Sequence, residues 1–509
     1  MWTAQGEPRV STVVAIPVTD PFSTSRTMFG KIVDVMNDDE NLSLSHGELE
    51  ELLDVQGRDL IRQLLQDHLE LRASREVRLD VVDAEGVLRP SVEEGHQRAL
   101  GTLFGDVRVS RKAYRRRDAG NLHPADGILN LPTEKYSHGV RRLAAIEAAR
   151  GSYESASAAL ERRTGKAVGK LQIEQLAARS AVDFEAFYRE NARKPCPEDA
   201  VLVLSCDGKG IVMRPDSLRE PTRRAAEREE HKLTTRLSRG EKANRKRMAE
   251  VGCVYDIAPA VRTPQDIVRS SAGGEVQPAP KARAKWVTAS VVDDAARVIA
   301  QIFDEAERRD PQHRRTWVAL VDGNKHQIEM IQREARRRKI RVAIILDVVH
   351  VIEYLWKAAW AFHSEGDPAA EQWVGKKLLA VLEGDAGLVA AAIRRTATRR
   401  GVTGSARKTA DTSADYLRNK AEFLTYAGAL AAGWPIATGA IEGACRHLVK
   451  DRMDITGARW SLDGAEPVLK LRALLANGDF GDYWRFHCQQ ERQRNHASRY
   501  AANSIPDGR

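Results

Sequence analysis

Three acidic residues, far apart in the sequence, are of the type that metal-dependent phosphodiester chemistry uses. Asp207 and Asp322 each end an apolar run, and Glu442 lies in an amphipathic segment. Cleavage of a phosphodiester bond by metals needs hard carboxylate oxygens from separate elements, because two divalent cations about 4 Å apart hold the attacking and the leaving oxygen. The three residues are therefore predicted to be catalytic ligands of two Mg²⁺ or Mn²⁺ ions.

Predicted strands position the two aspartates. Val201–Asp207 and Trp317–Asp322 have the composition of buried strands, and a helix over 325–339 and a further strand, Val342–Asp347, follow. Strand, helix and strand imply a parallel pair, and sites in open α/β sheets lie at the carboxyl ends of the strands. One aspartate after a strand is usually a turn or a helix cap, but three in one domain favour a site. Two strand-borne aspartates followed by a helix-borne glutamate are the layout of a ribonuclease-H-like nuclease.

The remaining pattern divides the chain into helical and strand-rich stretches. Further strands are predicted at Val77–Val82, Val107–Tyr114 and Gly252–Ala258, further helices at Leu60–Leu71, Ala289–Glu307 and Thr438–Met453, and a mostly helical stretch at Val348–Tyr426. The predicted fold class is an α/β ribonuclease-H-like catalytic core with an all-α insertion, preceded by a mainly helical DNA-binding region. The predicted segments are an N-terminal region at 1–137, a helix-turn-helix-like region at 138–195, the first part of the core at 196–350, a helical insertion at 351–433 and the completion of the core at 434–509.

The helix predicted to begin near Lys170 has a polar face suited to reading DNA. Gln172, Gln175 and Arg179 share that face, opposite an apolar stripe, and a preceding helix completes a helix-turn-helix outline. Gln and Arg side chains recognise adenine and guanine edges in the major groove. Three packed helices with a polar outer face would give the same pattern, so both interpretations stay open.

Two basic stretches could contact phosphates. Arg108 to Arg117 carries six Lys or Arg residues on a predicted strand, which is either a solvated edge strand or a phosphate-contacting one. A second stretch runs from Arg214 to Arg247. The charges at its end, with Arg245, Lys246 and Arg247, favour contact with a DNA backbone over the alternative of a solvated helix with alternating charges.

Composition narrows the class of partner. The 509 residues carry 80 Lys and Arg against 71 Asp and Glu, a net charge of +9 that attracts polyanions, although a charge of this size over such a length also serves plain solubility. The five cysteines form no C-x-x-C pair, which favours a reducing compartment. No apolar run reaches the roughly 20 residues that a membrane span needs. We therefore expect a cytoplasmic, nucleoid-associated protein with double-stranded DNA as its partner and no membrane association.

Four sequence blocks resemble those of a known family. They are Ser205–Pro215, Val321–Gln327, Asp347–Ala358 and Gly439–Met453. Together they resemble bacterial insertion-sequence transposases of the ISKra type, over a match that extends from about Leu103 to Tyr500. The resemblance implies a DDE transposase, related to mutator-like transposases, in which Asp207, Asp322 and Glu442 correspond to the acidic triad.

Two assignments keep alternatives. Other acids also follow Asp322 and could supply the third ligand: Glu353, Glu383 and Glu466. Glu442 is preferred because it follows the helical insertion and is flanked by glycines that allow close approach. Asp347-Val-Val-His350 is similar to the [C/D]-x-x-H motif of mutator-like transposases, which gives His350 a role in orienting a carboxylate or the scissile phosphate. Otherwise His350 is a core histidine.

The expected function is that of a DNA transposase, a magnesium-dependent polynucleotidyl transferase that binds the terminal inverted repeats of its own insertion sequence. It would cleave and join DNA strands, acting as a homo-oligomer on DNA. The alternatives are a transposase-derived DNA-binding protein without catalysis and a ribonuclease-H-like nuclease without strand transfer.

Overall fold

The structure, a computed structural model, describes residues 20–507 apart from 191–196, 198, 229–232, 234, 237, 239–244, 272–276 and 456. Part of the second basic stretch, including Arg239 and Lys242, lies outside the described residues. The described residues form two compact units. The described residues of the first unit fall within Met1–Leu143, Ser157–Val168 and Cys488–Arg509, and those of the second within Ala144–Ala156 and Gly169–His487.

Helices and one small sheet make up the chain as far as residue 190. Their bounds are α1 Ser23–Asn37, α2 His46–Ser74, β1 Ser91–Thr102, β2 Gly105–Arg116, β3 Ala119–Leu122, α3 Pro124–Ile128, α4 His138–Arg150, α5 Tyr153–Thr164, α6 Lys170–Arg179 and α7 Phe184–Glu190. The predicted helix at Leu60–Leu71 is confirmed within α2, which begins with a capping box between Ser45 and Glu48.

In the first unit, the strands form an antiparallel sheet in the order β1-β2-β3, and one face packs on Leu69 of α2. The sequence missed β1, and the strand predicted at Val77–Val82 is wrong, because only the isolated bridge from Val82 to Leu88 forms there. The edge-strand interpretation of the basic stretch is also wrong, since β2 lies between two strands. Four of its cations, Arg111, Lys112, Arg115 and Arg116, pair with carboxylates, as in the 2.7 Å contact of Arg111 with Asp126.

The second unit is built on a longer series of elements. Their bounds are β4 Val201–Val212, α8 Glu220–Glu227, β5 Lys246–Ile257, α9 Pro264–Ser271, β6 Arg283–Ser290, α10 Ala295–Arg309, β7 Trp317–Val321, α11 Lys325–Arg338, β8 Val342–Leu346, α12 Val348–Ala359, α13 Pro368–Leu382, α14 Ala386–Arg399, α15 Gly404–Asn419, α16 Tyr426–Ala431, α17 Gly439–Ala444, α18 Asp451–Met453, α19 Leu462–Ala476 and α20 Phe480–Asn495. A π-helical turn, Cys445–Lys450, joins α17 to α18.

The sheet of the second unit is mixed, and its strand order is β6-β5-β4-β7-β8. Strand β5 is antiparallel to β4 and β6, whereas β4, β7 and β8 are parallel. The strands predicted at Trp317–Asp322 and Val342–Asp347 are thus confirmed. The strand predicted at Val201–Asp207 is confirmed in its position, but its predicted end is wrong, because β4 continues past Asp207 to Val212 by pairing with β5. The apolar residues of Val201–Asp207 and Trp317–Asp322 are buried beneath covering helices, as expected for parallel strands, whereas the edge strand β8 is buried only at Ile345 and Leu346. The second unit therefore has an α/β core.

Helix α10 packs against β4 and β5. Its buried face includes Val298, Ile302 and Phe303, and it approaches β5 so closely that a Cβ atom at Gly252 would meet Ile302 at less than 3.0 Å. The helix predicted at Ala289–Glu307 is wrong at its start, because Arg283–Ser290 forms strand β6 and Asp294 caps the helix. The pairing of β6 with β5 outweighs the helical spacing of that stretch.

The helical stretch predicted after Val348 is confirmed by α12 to α16. The helix predicted at Thr438–Met453 is confirmed as the continuous run of α17, the π-helical turn and α18. Across the part of the chain that the structure describes, no helix combines the length and the apolar character needed to cross a bilayer.

Candidate functional site

Asp207 lies in the half of β4 that extends beyond its parallel neighbour. The pairing of β4 with β7 runs from Leu202 to Ser205, so at Asp207 the β7 side of the strand is open. The carboxylate is half-buried, and its Oδ1 accepts a hydrogen bond of 2.7 Å from the backbone NH of Gly208. This contact orients the carboxylate and leaves Oδ2 directed elsewhere.

Asp322 directly follows β7 and lies beside Asp207 in the sheet register. Ser205 pairs with Leu320 in parallel, and two further residues along each strand are Asp207 and Asp322. Neighbouring strands are about 4.8 Å apart, and matched positions of parallel strands direct side chains to the same face. Asp322 accepts a hydrogen bond of 2.7 Å from Asn324 N. By this register the first two predicted ligands lie side by side, Asp207 within β4 and Asp322 directly after β7.

Cys206 directly precedes Asp207 on β4, and its thiol lies near several carboxylates. Burial raises the pKa of the Cys206 thiol, and the nearby charges of Glu250, Asp322 and Asp207 raise it further. Burial also raises the pKa of Glu250, a carboxylate that the sequence analysis missed. Glu250 pairs with Gly208 and therefore leaves the sheet on the face opposite to Asp207.

Cys445 connects Asp207 to the helical segment that carries Glu442. Its Sγ donates a hydrogen bond of 3.4 Å to Asp207 Oδ2, and burial together with the Asp207 charge raises the pKa of the thiol. The sequence analysis missed this contact, because a single cysteine carries no local signal. Its position in a π-helical turn was equally hidden, although such turns are frequent at functional sites.

Glu442 is exposed on α17, which packs against β4 and β5. It lies three residues before Cys445, and residues so spaced share one face of a helix. Glu442 is therefore on the segment, and near the face, that meets Asp207.

The alternative glutamates differ in their surroundings. Glu466 accepts hydrogen bonds from Ser290 Oγ and Val291 N, both at 2.8 Å, which gives it a structural role at the end of β6. Glu383 is exposed at the end of α13 and accepts from Gln265 at 3.2 Å. Glu353 is the stronger alternative, because it lies near Tyr416, which also lies near Asp322. Burial raises the pKa of Tyr416 most, and the nearby groups Tyr354, Asp322, Asp347 and Glu353 raise it further.

His350 lies on the first turns of α12. Its Nδ1 is 3.5 Å from Glu353 Oε2, and its side chain is 34% exposed, so it is not an enclosed core histidine. Asp347, which precedes that helix, is fully buried and acts as its N-cap.

Tyr416 stacks on Tyr354 with ring centroids 3.8 Å apart, and its hydroxyl donates a hydrogen bond of 3.4 Å to the carbonyl oxygen of Asp322.

The donor set is suited to Mg²⁺ or Mn²⁺, although it is not a preassembled cage. Asp207 and Asp322 offer carboxylate oxygens from neighbouring strands, and Glu442 is on a helix packed against one of them. Hard oxygen donors of this kind are those that Mg²⁺ prefers. Within the described ranges, no three acidic, histidine or cysteine side chains are grouped closely enough to hold an ion.

The predicted DNA-reading helix is α6, which begins at Lys170 as predicted. Ile173, Leu176 and Ala177 are buried, while Gln172, Gln175 and Arg179 are exposed. Gln172 Oε1 also accepts a hydrogen bond of 3.0 Å from Gly169 N, so it helps to cap its own helix.

The three basic residues at 245–247 lie at the start of β5 and have different surroundings. Arg247 Nε donates to Val291 O at 2.7 Å, and its Nη1 donates to Ser217 O at 3.3 Å. Lys246 Nζ is 3.2 Å from Asp454 Oδ1 and remains exposed. Arg247 therefore holds backbone in place, whereas Lys246 is accessible to a phosphate.

Comparison with known proteins does not identify a family for this chain. No protein-family model matches the chain, and no curated protein matches it.

Proposed function

We propose that this chain is a DNA transposase of the DDE type with a ribonuclease-H-like core, as the resemblance to ISKra-type transposases implies. The observation that carries the proposal is the juxtaposition of Asp207 and Asp322 at matched positions of two parallel strands, with the Cys445 turn of the Glu442 segment in contact with Asp207. A ribonuclease-H-like site requires this convergence of two strands and a helix.

The topology of the second unit also supports the proposal. In a sheet ordered β6-β5-β4-β7-β8 only β5 runs opposite to the others. Such a sheet, three antiparallel strands followed by two parallel ones, is the core expected of a ribonuclease-H-like fold.

In the proposed reaction, Asp207, Asp322 and Glu442 are the residues that would hold two Mg²⁺ or Mn²⁺ ions. Such ions, when bound, stabilise the attacking and leaving oxygens of an in-line displacement at phosphorus. The backbone NH groups of Gly208 and Asn324 orient the two aspartates. Water attacks the phosphorus at the element end and breaks its bond to the 3′-oxygen, which releases a 3′-hydroxyl and leaves a 5′-phosphate on the other side. That hydroxyl then attacks a phosphorus of target DNA and displaces the target's own 3′-oxygen, so one phosphodiester bond forms as another breaks. His350 takes the role of orienting a carboxylate or the scissile phosphate.

DNA recognition is assigned to separate residues. Gln172, Gln175 and Arg179 on α6 read base edges of the element ends, and Arg245 and Lys246 contact the backbone. The acting form is a homo-oligomer on double-stranded DNA, because two element ends must be cut and joined together.

The test is a cleavage and strand-transfer assay on DNA that carries the flanking ends of the element. Asp207→Asn, Asp322→Asn and Glu442→Gln should each lower cleavage by at least about 100-fold, since each removes a charge that holds the metal, while binding to the ends persists. Glu383→Gln is the matched control and should cleave at the wild-type rate.

The outcomes separate the alternatives. Cleavage without joined products would indicate a nuclease, and binding without cleavage a DNA-binding derivative. If Glu442→Gln cleaves normally and Glu353→Gln does not, the third ligand is Glu353. Full activity of both aspartate variants would refute the proposed mechanism.

A further inference from the structure

One buried carboxylate, that of Asp347, joins the starts of two helices. Its Oδ1 accepts a hydrogen bond of 2.8 Å from Val349 N in the first turn of α12. Its Oδ2 accepts from Thr438 N at 3.3 Å and from the Thr438 hydroxyl, and Thr438 directly precedes α17. The two helices are those that carry His350 and Glu442.

The backbone around Asp347 strengthens the same connection. Asp347 N donates to Val321 O at 2.8 Å, at the end of β7 and one residue before Asp322. Val348 N donates to Ile436 O at 2.9 Å, two residues before Thr438. The position of Asp347 is therefore fixed both to the strand end that presents Asp322 and to the chain that leads into α17.

The buried Asp347 carboxylate accepts its hydrogen bonds from few donors. Asp347 is 0% exposed, and its side chain accepts hydrogen bonds from Val349 N, Thr438 N and the Thr438 hydroxyl. A buried carboxylate without a cation must be stabilised by hydrogen bonds, and the loss of one donor is costly because water cannot replace it. The hydrogen bond from the Thr438 hydroxyl is therefore needed to stabilise the buried Asp347 carboxylate.

We propose that Asp347 is a positioning residue, which holds the His350 helix and the Glu442 helix in a fixed relation to the strand ends with Asp207 and Asp322. It does not touch substrate, because it is fully buried. The proposal rests on the proposed function, since it assigns Asp347 to the alignment of that metal site.

The test uses Thr438, which is not itself a proposed ligand. Thr438→Val removes the hydroxyl donor and keeps the shape of the side chain, whereas Thr438→Ser keeps the donor. Thr412→Val is the matched control, because the Thr412 hydroxyl donates to Lys408 O on the exposed surface of α15. Mn²⁺ binding is measured by calorimetry on the full chain without DNA, and cleavage is measured as a function of Mg²⁺ concentration.

Thr438→Val should weaken Mn²⁺ binding and raise the Mg²⁺ concentration for half-maximal cleavage, each by about 10-fold, the lower end of the range for residues that orient metal ligands. Thr438→Ser and Thr412→Val should bind Mn²⁺ as the wild type does. Unchanged Mn²⁺ affinity in a folded Thr438→Val variant would overturn the proposal.

If Thr438→Val does not fold, Asp347→Asn replaces it in the same titration, with the same expected weakening and the same refuting result. Failure of the proposed function is a distinct outcome, in which the wild type binds Mn²⁺ but cuts no DNA. In that case the Mn²⁺ titration of Thr438→Val still decides whether Asp347 aligns the site.

Discussion

The close contact of α10 with β5 makes a sharp prediction for Gly252. An alanine there would place its Cβ under 3.0 Å from Ile302 and 3.2 Å from Val298. Ile302 is 0% exposed, so its methyl group has no free space to enter. Either α10 moves away from the sheet or Ile302 leaves its rotamer.

The expected magnitude follows from opposing terms. Overpacking a core costs typically 1–3 kcal/mol, and an off-rotamer side chain adds about 0.5–1.5 kcal/mol. Replacing a strand glycine recovers roughly 0.5–1 kcal/mol of conformational entropy. Gly252→Ala should therefore lower the free energy of unfolding by about 1–3 kcal/mol.

The assay is urea denaturation of the wild type, Gly252→Ala, Ile302→Ala and the double variant. Ile302→Ala alone should cost about 2–5 kcal/mol by leaving a cavity. In the double variant the new methyl occupies that cavity, so the double should be more stable than the sum of the single effects by about 1–3 kcal/mol. Gly375→Ala is the control, since its Cβ would meet only Val268 at 3.9 Å.

Two results would refute this reasoning. A Gly252→Ala variant as stable as the wild type would show that α10 does not press on the sheet. Strictly additive effects in the double variant would show that the two positions do not share the same space.

Other features of the structure give further tests. Replacing Gln172, Gln175 and Arg179 on α6 with alanine should weaken binding to the element ends by about 1–3 kcal/mol for each base-reading side chain. Binding to random DNA is the control, and an equal loss there would exclude base reading. Arg247→Ala should lower thermal stability and leave the salt dependence of DNA binding unchanged, because its guanidinium is bound to backbone carbonyls; a reduced slope would make it a phosphate contact. Burial, followed by the Arg111 charge, lowers the pKa of His123 from 6.5 to about 4. Between these pH values the unfolded chain binds a proton that the folded chain excludes, so the free energy of unfolding should fall as the pH is lowered from 6.5 to 4. His123→Gln should flatten that fall in denaturation curves, and an unchanged pH profile would contradict it.

The strands that carry the candidate site were predictable because their sequences are locally decisive. Val201–Asp207 and Trp317–Asp322 are continuous apolar runs that end at a carboxylate, a pattern typical of buried parallel strands. Strands β1 and β6 were not predictable in this way. Each contains several charged or polar residues and forms only because a neighbouring strand pairs with it.

The candidate site likewise has features that the sequence predicts and features that it does not. The adjacency of Asp207 and Asp322 follows from the rule that sites lie at strand ends, whereas the burial of Asp347 depends on Thr438, which is distant in sequence. Strand ends alone cannot distinguish a ligand from a helix cap. The contact between Cys445 and Asp207 required a packed structure to become visible.

The pairing of β4 with later strands has a consequence for the synthesis of the protein. Strand β4 is made first, but its neighbour β7 and the Cys445 turn that meets Asp207 come much later in the chain. About 235 residues separate Asp207 from Glu442, so at roughly 5–20 residues per second a ribosome needs on the order of 10–50 s to produce the second after the first. During that interval the emerging polypeptide holds an incomplete set of acids. Under the proposed function, a prematurely terminated product that lacks α17 would lack the third acid, and it would also lack α19, the helix on which α6 packs, so it would lose the support of the DNA-reading helix as well.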